Sequence, residues 1–176
     1  LEAFARGEID AGLMLHSPGF APPGLKRMPV ASEPLVLALP AAHALARAAS
    51  PDLAAVLAEP LVIFPRRIVP SLHDAIFGLY HAAGLVPRVA QEAIQMQTIV
   101  NLVWGGLGVA WVPESVTQFR RDGVVYRRAG EFAAGRRQKS VQLPACETSL
   151  VWPVEGEQPA LQRFVAFVKG QKGLAQ

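Results

Sequence analysis

Leu61-Val62-Ile63-Phe64-Pro65-Arg66-Arg67-Ile68-Val69-Pro70-Ser71 is the stretch that decides the fold. Four consecutive apolar residues, Leu61 to Phe64, with no polar alternation, read as a strand buried on both faces. Pro65 stops it. Ser71 then reads as the cap of a helix whose buried face is Ala75, Ile76, Leu79, Tyr80 and Ala83, ended by Gly84 with Pro87 beyond. Toward the C-terminus follow a short strand near Val89 to Ala93, a helix from Thr98 to Trp104 stopped by Gly105-Gly106, and a strand from Gly108 to Val112 stopped by Pro113. The order is strand, helix, strand, helix, strand.

The same grammar holds toward the N-terminus. Ser50-Pro51-Asp52 before Leu53, Val56 and Leu57 reads as a cap, a first-turn proline and an apolar helix face, and Leu35 to Leu39 is a wholly apolar strand closed by Pro40. Leu1 to Arg6 reads as the tail of a helix, Gly7 as its stop, and Ile9 to Leu15 as another strand, so an upstream part of the architecture is expected. Beyond a basic, Gly-containing stretch, Ser149 to Val154 gives a further strand. Pro159 with Leu161, Phe164, Val165 and Val168 gives a last amphipathic helix. Strands apolar on both faces, alternating with helices, predict an α/β fold of mostly parallel sheets flanked by helices.

With 176 residues, 51% hydrophobic and 18% charged, the chain supports a sizeable core and is too apolar for disorder. No apolar run approaches the ~20 residues that cross a bilayer, and the opening residues carry acidic groups instead of a basic leader, which reads as cytoplasmic with no membrane association. Cys146 is the single cysteine, which rules out an internal disulfide. The net charge of +3 invites a nucleic-acid reading. Arg120, Arg121, Arg127, Arg128, Arg136, Arg137 and Lys139 crowd one stretch, but Asp122 and Glu131 interrupt it and no recognition-helix pattern or interleaved aromatics accompany it. A solvated loop face accounts for the cluster, with no DNA contact by this chain itself.

The residues for catalysis are not assembled. His16, His43, His73 and His81 stand at no metal-ligand spacing, carboxylates are scattered, and neither a metal nor another cofactor is expected. Gly105-Gly106-Leu107-Gly108 follows a helix and precedes a strand, the reverse of a phosphate loop, so it reads as a helix stop. No serine sits in a nucleophile elbow, and Cys146 has no base nearby in sequence. An enzyme is not expected. Trp104, Trp111 and Met96 read as packing residues at first sight, and His43 as the cap of a turn. What remains is binding geometry: in open α/β sheets a ligand lies beyond the carboxyl ends of strands, where helix N-termini present N–H groups and partial positive charge. Phe64 to Leu72, carrying Arg66 and Arg67, and Gln95 to Thr98 both answer that description, and both suit an anion.

Taken in order, Leu61-Val62-Ile63-Phe64-Pro65-Arg66, Pro70-Ser71, Ala83-Gly84-Leu85-Val86-Pro87 and Gln97 to Pro113 resemble LysR-type transcriptional regulators. Gly7-Glu8-Ile9-Asp10-Ala11-Gly12-Leu13 and Glu33-Pro34-Leu35 to Pro40 with His43 resemble that family's first-lobe helix and strand and its crossing strand. The resemblance covers nearly the whole chain and is strongest to regulators of aromatic-compound breakdown. It implies the effector-binding domain, with two lobes like type 2 periplasmic binding proteins and the effector between them. Residues 1–32 and 147–176 would form a partial lobe I, and residues 33–146 lobe II. A winged helix-turn-helix, a linker helix and the opening of lobe I would lie upstream.

By the same resemblance Pro70, Ser71 and Leu72 match an effector-touching loop and Met96 an apolar wall. Leu15 stands where the muconate-responsive relatives carry an arginine, with His16 beside it as a partial replacement. Ala31 replaces an arginine of a second pocket found in some relatives, while Glu33 is kept, and the stretch from Ala129 to Leu143 is longer than usual. With Arg66 from the loop reading, the candidate effector contacts are Leu15, His16, Arg66, Pro70, Ser71, Leu72 and Met96. The implied partners are a small anionic or aromatic acid, DNA through the upstream domain alone, and further copies of the chain in a homodimer or homotetramer. A periplasmic solute-binding protein of a transporter is an alternative on the same architecture. A second is an enzyme drawing on His16, His73, Asp74 or Arg66.

Overall fold

The computed structural model describes residues 2–133, 143–155 and 159–171. Its elements in chain order are α1 (Glu2–Ala5), β1 (Gly12–His16), β2 (Leu25–Pro40), α2 (Ala44–Arg47), α3 (Leu53–Leu57), β3 (Leu61–Ile63), α4 (Pro70–Ala82) and β4 (Val89–Glu92). They continue with α5 (Met96–Trp104), β5 (Ala110–Pro113), β6 (Val124–Arg127), β7 (Ala145–Pro153) and α6 (Pro159–Gln171). Two compact units are present: Leu1–Ser32 with Glu147–Gln176, and Glu33–Cys146.

In the first unit β1 runs antiparallel to β7, from Gly12 opposite Val151 to His16 opposite Glu147. Leu161, Val165 and Val168 recur at helical spacing on α6 and pack with Met28, Leu150 and Trp152 into a small core. Phe164, expected on that buried face, is 48% exposed.

The second unit holds the larger core. Leu35 to Leu39 of β2 are almost wholly buried, as expected of a strand covered on both faces. They pair antiparallel with β5 (Leu37 opposite Trp111) and with β6 (Leu37 opposite Arg127). β3 pairs parallel with β4, and on its other side Leu61 makes a parallel bridge to Val109. α4 buries Leu72, His73, Ile76 and Tyr80, and α5 buries Ile99, Val100 and Val103. The Trp111 indole N–H donates to the Tyr80 hydroxyl at 3.4 Å.

The α/β class and the strand–helix order follow the sequence, but pairing direction does not. Among the described residues parallel pairing is limited to β3 with β4 and the isolated bridges Leu61–Val109 and Asp52–Ala133, while β1–β7, β2–β5 and β2–β6 are antiparallel. A strand buried on both faces has the same apolar run whichever way its neighbour travels, so hydropathy carries no direction. Ser71 does not cap α4: Val69 occupies the cap without a side-chain bond, and Pro70 takes the first turn, where its missing N–H costs nothing. Asp52, not Ser50, caps α3 by accepting from the Ala54 N–H at 3.3 Å. His43 caps α2, its Nδ1 accepting from the Leu45 N–H at 3.2 Å.

The glycine turn after α5 acts as a helix stop, with Gly106 at a φ of +80°. Gly108 answers a tighter demand, because a Cβ there would lie 2.1 Å from the Pro60 carbonyl oxygen. β6 was not foreseen, since its four residues are only half-buried and stand among arginines. Those arginines are partly engaged inside the unit. Arg127 donates to the carbonyls of Ala46 and Ala48 and to Glu131, and Arg128 donates to Glu114. Arg136, Arg137, Lys139 and most of the stretch from Ala129 to Leu143 lie outside the described residues. No described helix is long and apolar enough to cross a membrane.

Candidate functional site

β3 and β4 are parallel neighbours, with Ile63 opposite Glu92, and the Ala93 N–H donates to the Ile63 carbonyl at 3.0 Å. Both strands therefore end at the same edge. The chain leaving β3 enters α4 after six residues, and the chain leaving β4 enters α5 after three. The start of each helix thus belongs to the carboxyl edge of a parallel pair, the position at which α/β proteins hold anions. The first α-helical bonds are His73 N–H to the Val69 carbonyl and Ile99 N–H to the Gln95 carbonyl, each at 3.0 Å. The amides of Ser71, Leu72, Met96, Gln97 and Thr98 precede those bonds, in the turn whose donors look outward from a helix.

Pro70, Ser71, Leu72 and Met96 all fall in these two first turns, and Arg66 falls in the loop that leads to one of them. Their exposure differs. Pro70 is exposed and Ser71 and Met96 are half-buried, whereas Leu72 is 0% exposed, so its side chain belongs to the core and only its backbone faces the turn. Arg66 is exposed but engaged: Nε and Nη2 donate to the two carboxylate oxygens of Asp74, each at 2.7 Å. This bidentate bond holds the Asp74 carboxyl below its ordinary range and raises the Arg66 guanidinium above its own. His73 is buried against Phe77, rings 4.3 Å apart, with Nδ1 3.6 Å from Asp74.

In the first unit Leu15 is half-buried on β1, and His16, the last residue of that strand, is 1% exposed. The His16 Nδ1 bonds the Ser17 carbonyl at 2.8 Å, and Nε2 bonds the Ser149 hydroxyl at 2.9 Å. Ser149 also donates to Glu147 at 3.0 Å, and Arg27 donates to the same carboxylate oxygen. His16 is thus the inner end of a polar network that includes a charge pair. Sequence reading missed Arg27, Glu147 and Ser149, and no local spacing signals them, because Arg27 and Glu147 stand 120 residues apart. Glu33, read as a relic of a second pocket, accepts from the Ser115 amide and hydroxyl. Trp111 is core as expected, while Trp104 is 52% exposed.

A cavity of about 370 Å³ in the first unit is lined by Trp152, Leu161 and Val165 with Lys26 and Lys169. One of about 150 Å³ in the second unit lies against α5. None of the seven expected contacts lines either cavity. Among the described residues no group of three or more His, Cys, Asp or Glu could hold a metal ion.

Comparison with known proteins matches residues 1–173 to the LysR substrate binding domain. The HTH-type transcriptional regulator IlvR of Caulobacter vibrioides is 39% identical over 168 residues, 94% of this chain and 52% of that protein. The regulator TfdS of Cupriavidus pinatubonensis is 30% identical over 173 residues, 98% of this chain and 55% of that protein. The chain therefore spans about half the length of these curated relatives. Among solved structures, full-length CbnR complexed with its target DNA superposes with a TM-score of 0.71 at 26% identity, covering 97% of this chain and 56% of that one. The BenM effector binding domain with its effector benzoate shares the fold, with a TM-score of 0.67 at 20% identity over 99% of this chain and 74% of that one.

Proposed function

This chain belongs to the LysR substrate binding domain family, and from that membership we propose that it senses a small carboxylate or aromatic acid and passes the signal to a DNA-bound oligomer in the cytoplasm. The observation that carries this reading is the common carboxyl edge of β3 and β4, from which α4 and α5 both start. Two helix N-termini at one edge supply directed N–H donors and partial positive charge to a carboxylate. Arg66, Pro70, Ser71, Leu72 and Met96 are the proposed contacts in the second unit, Leu72 through its backbone. Leu15 and His16 are the proposed contacts in the first. The two units are the proposed lobes I and II of the regulatory domain.

The family domain is regulatory and not catalytic, and the relatives described above are named regulators. This favours sensing over the transport and enzyme alternatives. In the proposed mechanism a winged helix-turn-helix elsewhere in the protein contacts DNA, and this domain biases the geometry of a homodimer or homotetramer. A ligand achieves that only by binding two arrangements of the domain unequally, since equal affinity shifts nothing.

The test is thermal denaturation of the purified protein with a panel of aromatic and dicarboxylic acids. A true effector at a hundred times its Kd adds about 2.7 kcal/mol and raises the melting midpoint. Ser71→Ala with Met96→Ala should reduce the rise, since the backbone N–H donors remain. A panel that moves no melting curve would remove the reading's support.

A further inference from the structure

The cavity of about 370 Å³ in the first unit is lined by none of the proposed effector contacts, and its form follows from α6. Leu161, Val165 and Val168 turn into the core. At ~3.6 residues per turn, Gln162, Ala166 and Lys169 then stand together on one flank of the helix. Phe164 and Phe167, both exposed, fall on the opposite flank and do not line the cavity. Trp152 of β7, 7% exposed, and Lys26 of β2 supply the other wall.

Lining residues run from Leu161 to Lys169, over which the helix advances ~12 Å at ~1.5 Å per residue, so the cavity is a trough along about two turns of α6. Ala166 sets its depth, since on the flank between Gln162 and Lys169 it contributes a single carbon. Lys26 and Lys169 are the charged residues of the lining, and no carboxylate stands among them. Over Pro159–Gln171 the helix itself carries Arg163 and Lys169 and no acidic residue. An apolar floor beneath a rim of one sign of charge selects an amphiphile of the opposite sign.

We propose that this trough is a second binding site, for a straight-chain monocarboxylate of medium length. The carboxylate takes charge-assisted bonds from the ammonium groups of Lys26 and Lys169. The chain lies over Leu161, Val165 and Trp152 and passes Ala166. The volume sets the size class, since it stands just above the ~300 Å³ at which small-molecule pockets begin. One chain fits, and a folded partner does not enter.

Octanoate and its uncharged analogue octanamide are the probes, read by equilibrium dialysis against the purified protein. Octanoate should bind saturably, severalfold more tightly than hexanoate because two further methylenes are covered, and octanamide should bind at least tenfold more weakly. Lys26→Gln with Lys169→Gln should weaken octanoate at least tenfold. Ala166→Leu fills the trough from an exposed helical position with a good helix former, and should abolish binding while the melting midpoint stays that of the parent. Ser71→Ala with Met96→Ala, which tests the edge of β3 and β4, should leave octanoate binding in place. The proposal is overturned if octanoate does not saturate, if octanamide matches it, if the double lysine variant or Ala166→Leu binds as the parent does, or if Ser71→Ala with Met96→Ala abolishes binding.

Discussion

The guanidinium of Arg66 meets the carboxylate of Asp74 through two parallel bonds of 2.7 Å, one from Nε and one from Nη2. The cation that the loop offers to an anionic effector is therefore already satisfied within its own unit. Asp74→Asn should free it, and the affinity for a dicarboxylate probe should rise severalfold, measured by calorimetric titration, while Arg66→Gln in the same background should cancel the gain. Because the bond to Arg66 lowers the Asp74 carboxyl from its ordinary 3.8, the pair persists through that pH and opens only below it. The gain should thus be absent from the parent protein at any pH above about 4. Both side chains are exposed, and the melting midpoint should move little.

Ser149 is 0% exposed and links His16 to Glu147. Ser149→Ala removes the 2.9 Å partner of the buried His16 Nε2 and leaves it only the Glu147 carboxylate oxygen, 3.5 Å away. A buried polar group left poorly satisfied costs up to about 1–3 kcal/mol, so the urea midpoint should fall. Ser149→Thr, which keeps the hydroxyl, should recover part of that loss.

Gly108 and Gly84 separate contact from conformation. Ala at 108 would press its Cβ against the Pro60 carbonyl at 2.1 Å, while Ala at 84, at a φ of +73°, meets nothing within 4 Å. Gly84→Ala should cost about 1–2 kcal/mol, the penalty of a left-handed residue. Gly108→Ala should cost at least twice as much or prevent folding, as equilibrium unfolding and soluble yield would show.

Cys146 is wholly buried, and burial, aided by the Glu33 carboxylate, pushes its thiol from 9.0 to about 12. Burial likewise pushes Tyr80 from 10.0 to about 12. Both pKa values are raised on folding, so their contribution is complete below pH 9 and is lost as pH rises toward 12. The urea midpoint should fall across that window, and less so in Cys146→Ser. At pH 8 a thiol reagent should label the native protein far more slowly than the urea-unfolded chain.

The apolar runs at Leu35 and Leu61 and the glycine stops at Gly84 and Gly106 were legible because each is a local rule with one physical cause. Helix starts were read less well. Ser71 has the chemistry of a cap, but Pro70 before it already satisfies the first turn, and the cap falls to Val69. For the candidate site, the loop positions Pro70, Ser71 and Met96 could be placed, since the turn from strand to helix is a sequence signal. Leu72 could not be divided into a buried side chain and an outward backbone, and the partners of Arg66 and His16 were out of reach. Asp74 lies eight residues on in a helix, and Ser149 is 133 residues away across a strand pairing that no periodicity encodes.

The discontinuous first unit bears on the order of events during translation. The second unit is contiguous, Glu33–Cys146, and is fully synthesised before Glu147 is added. Met28 then still awaits Leu150, Trp152, Leu161 and Val165. At ~5–20 residues per second, the interval between emergence of Met28 and of Leu161 is on the order of ten seconds. Through that interval the apolar strand stays open, and at its end the nascent chain also carries a completed second unit, which makes β1 and the start of β2 the segments a chaperone would meet first.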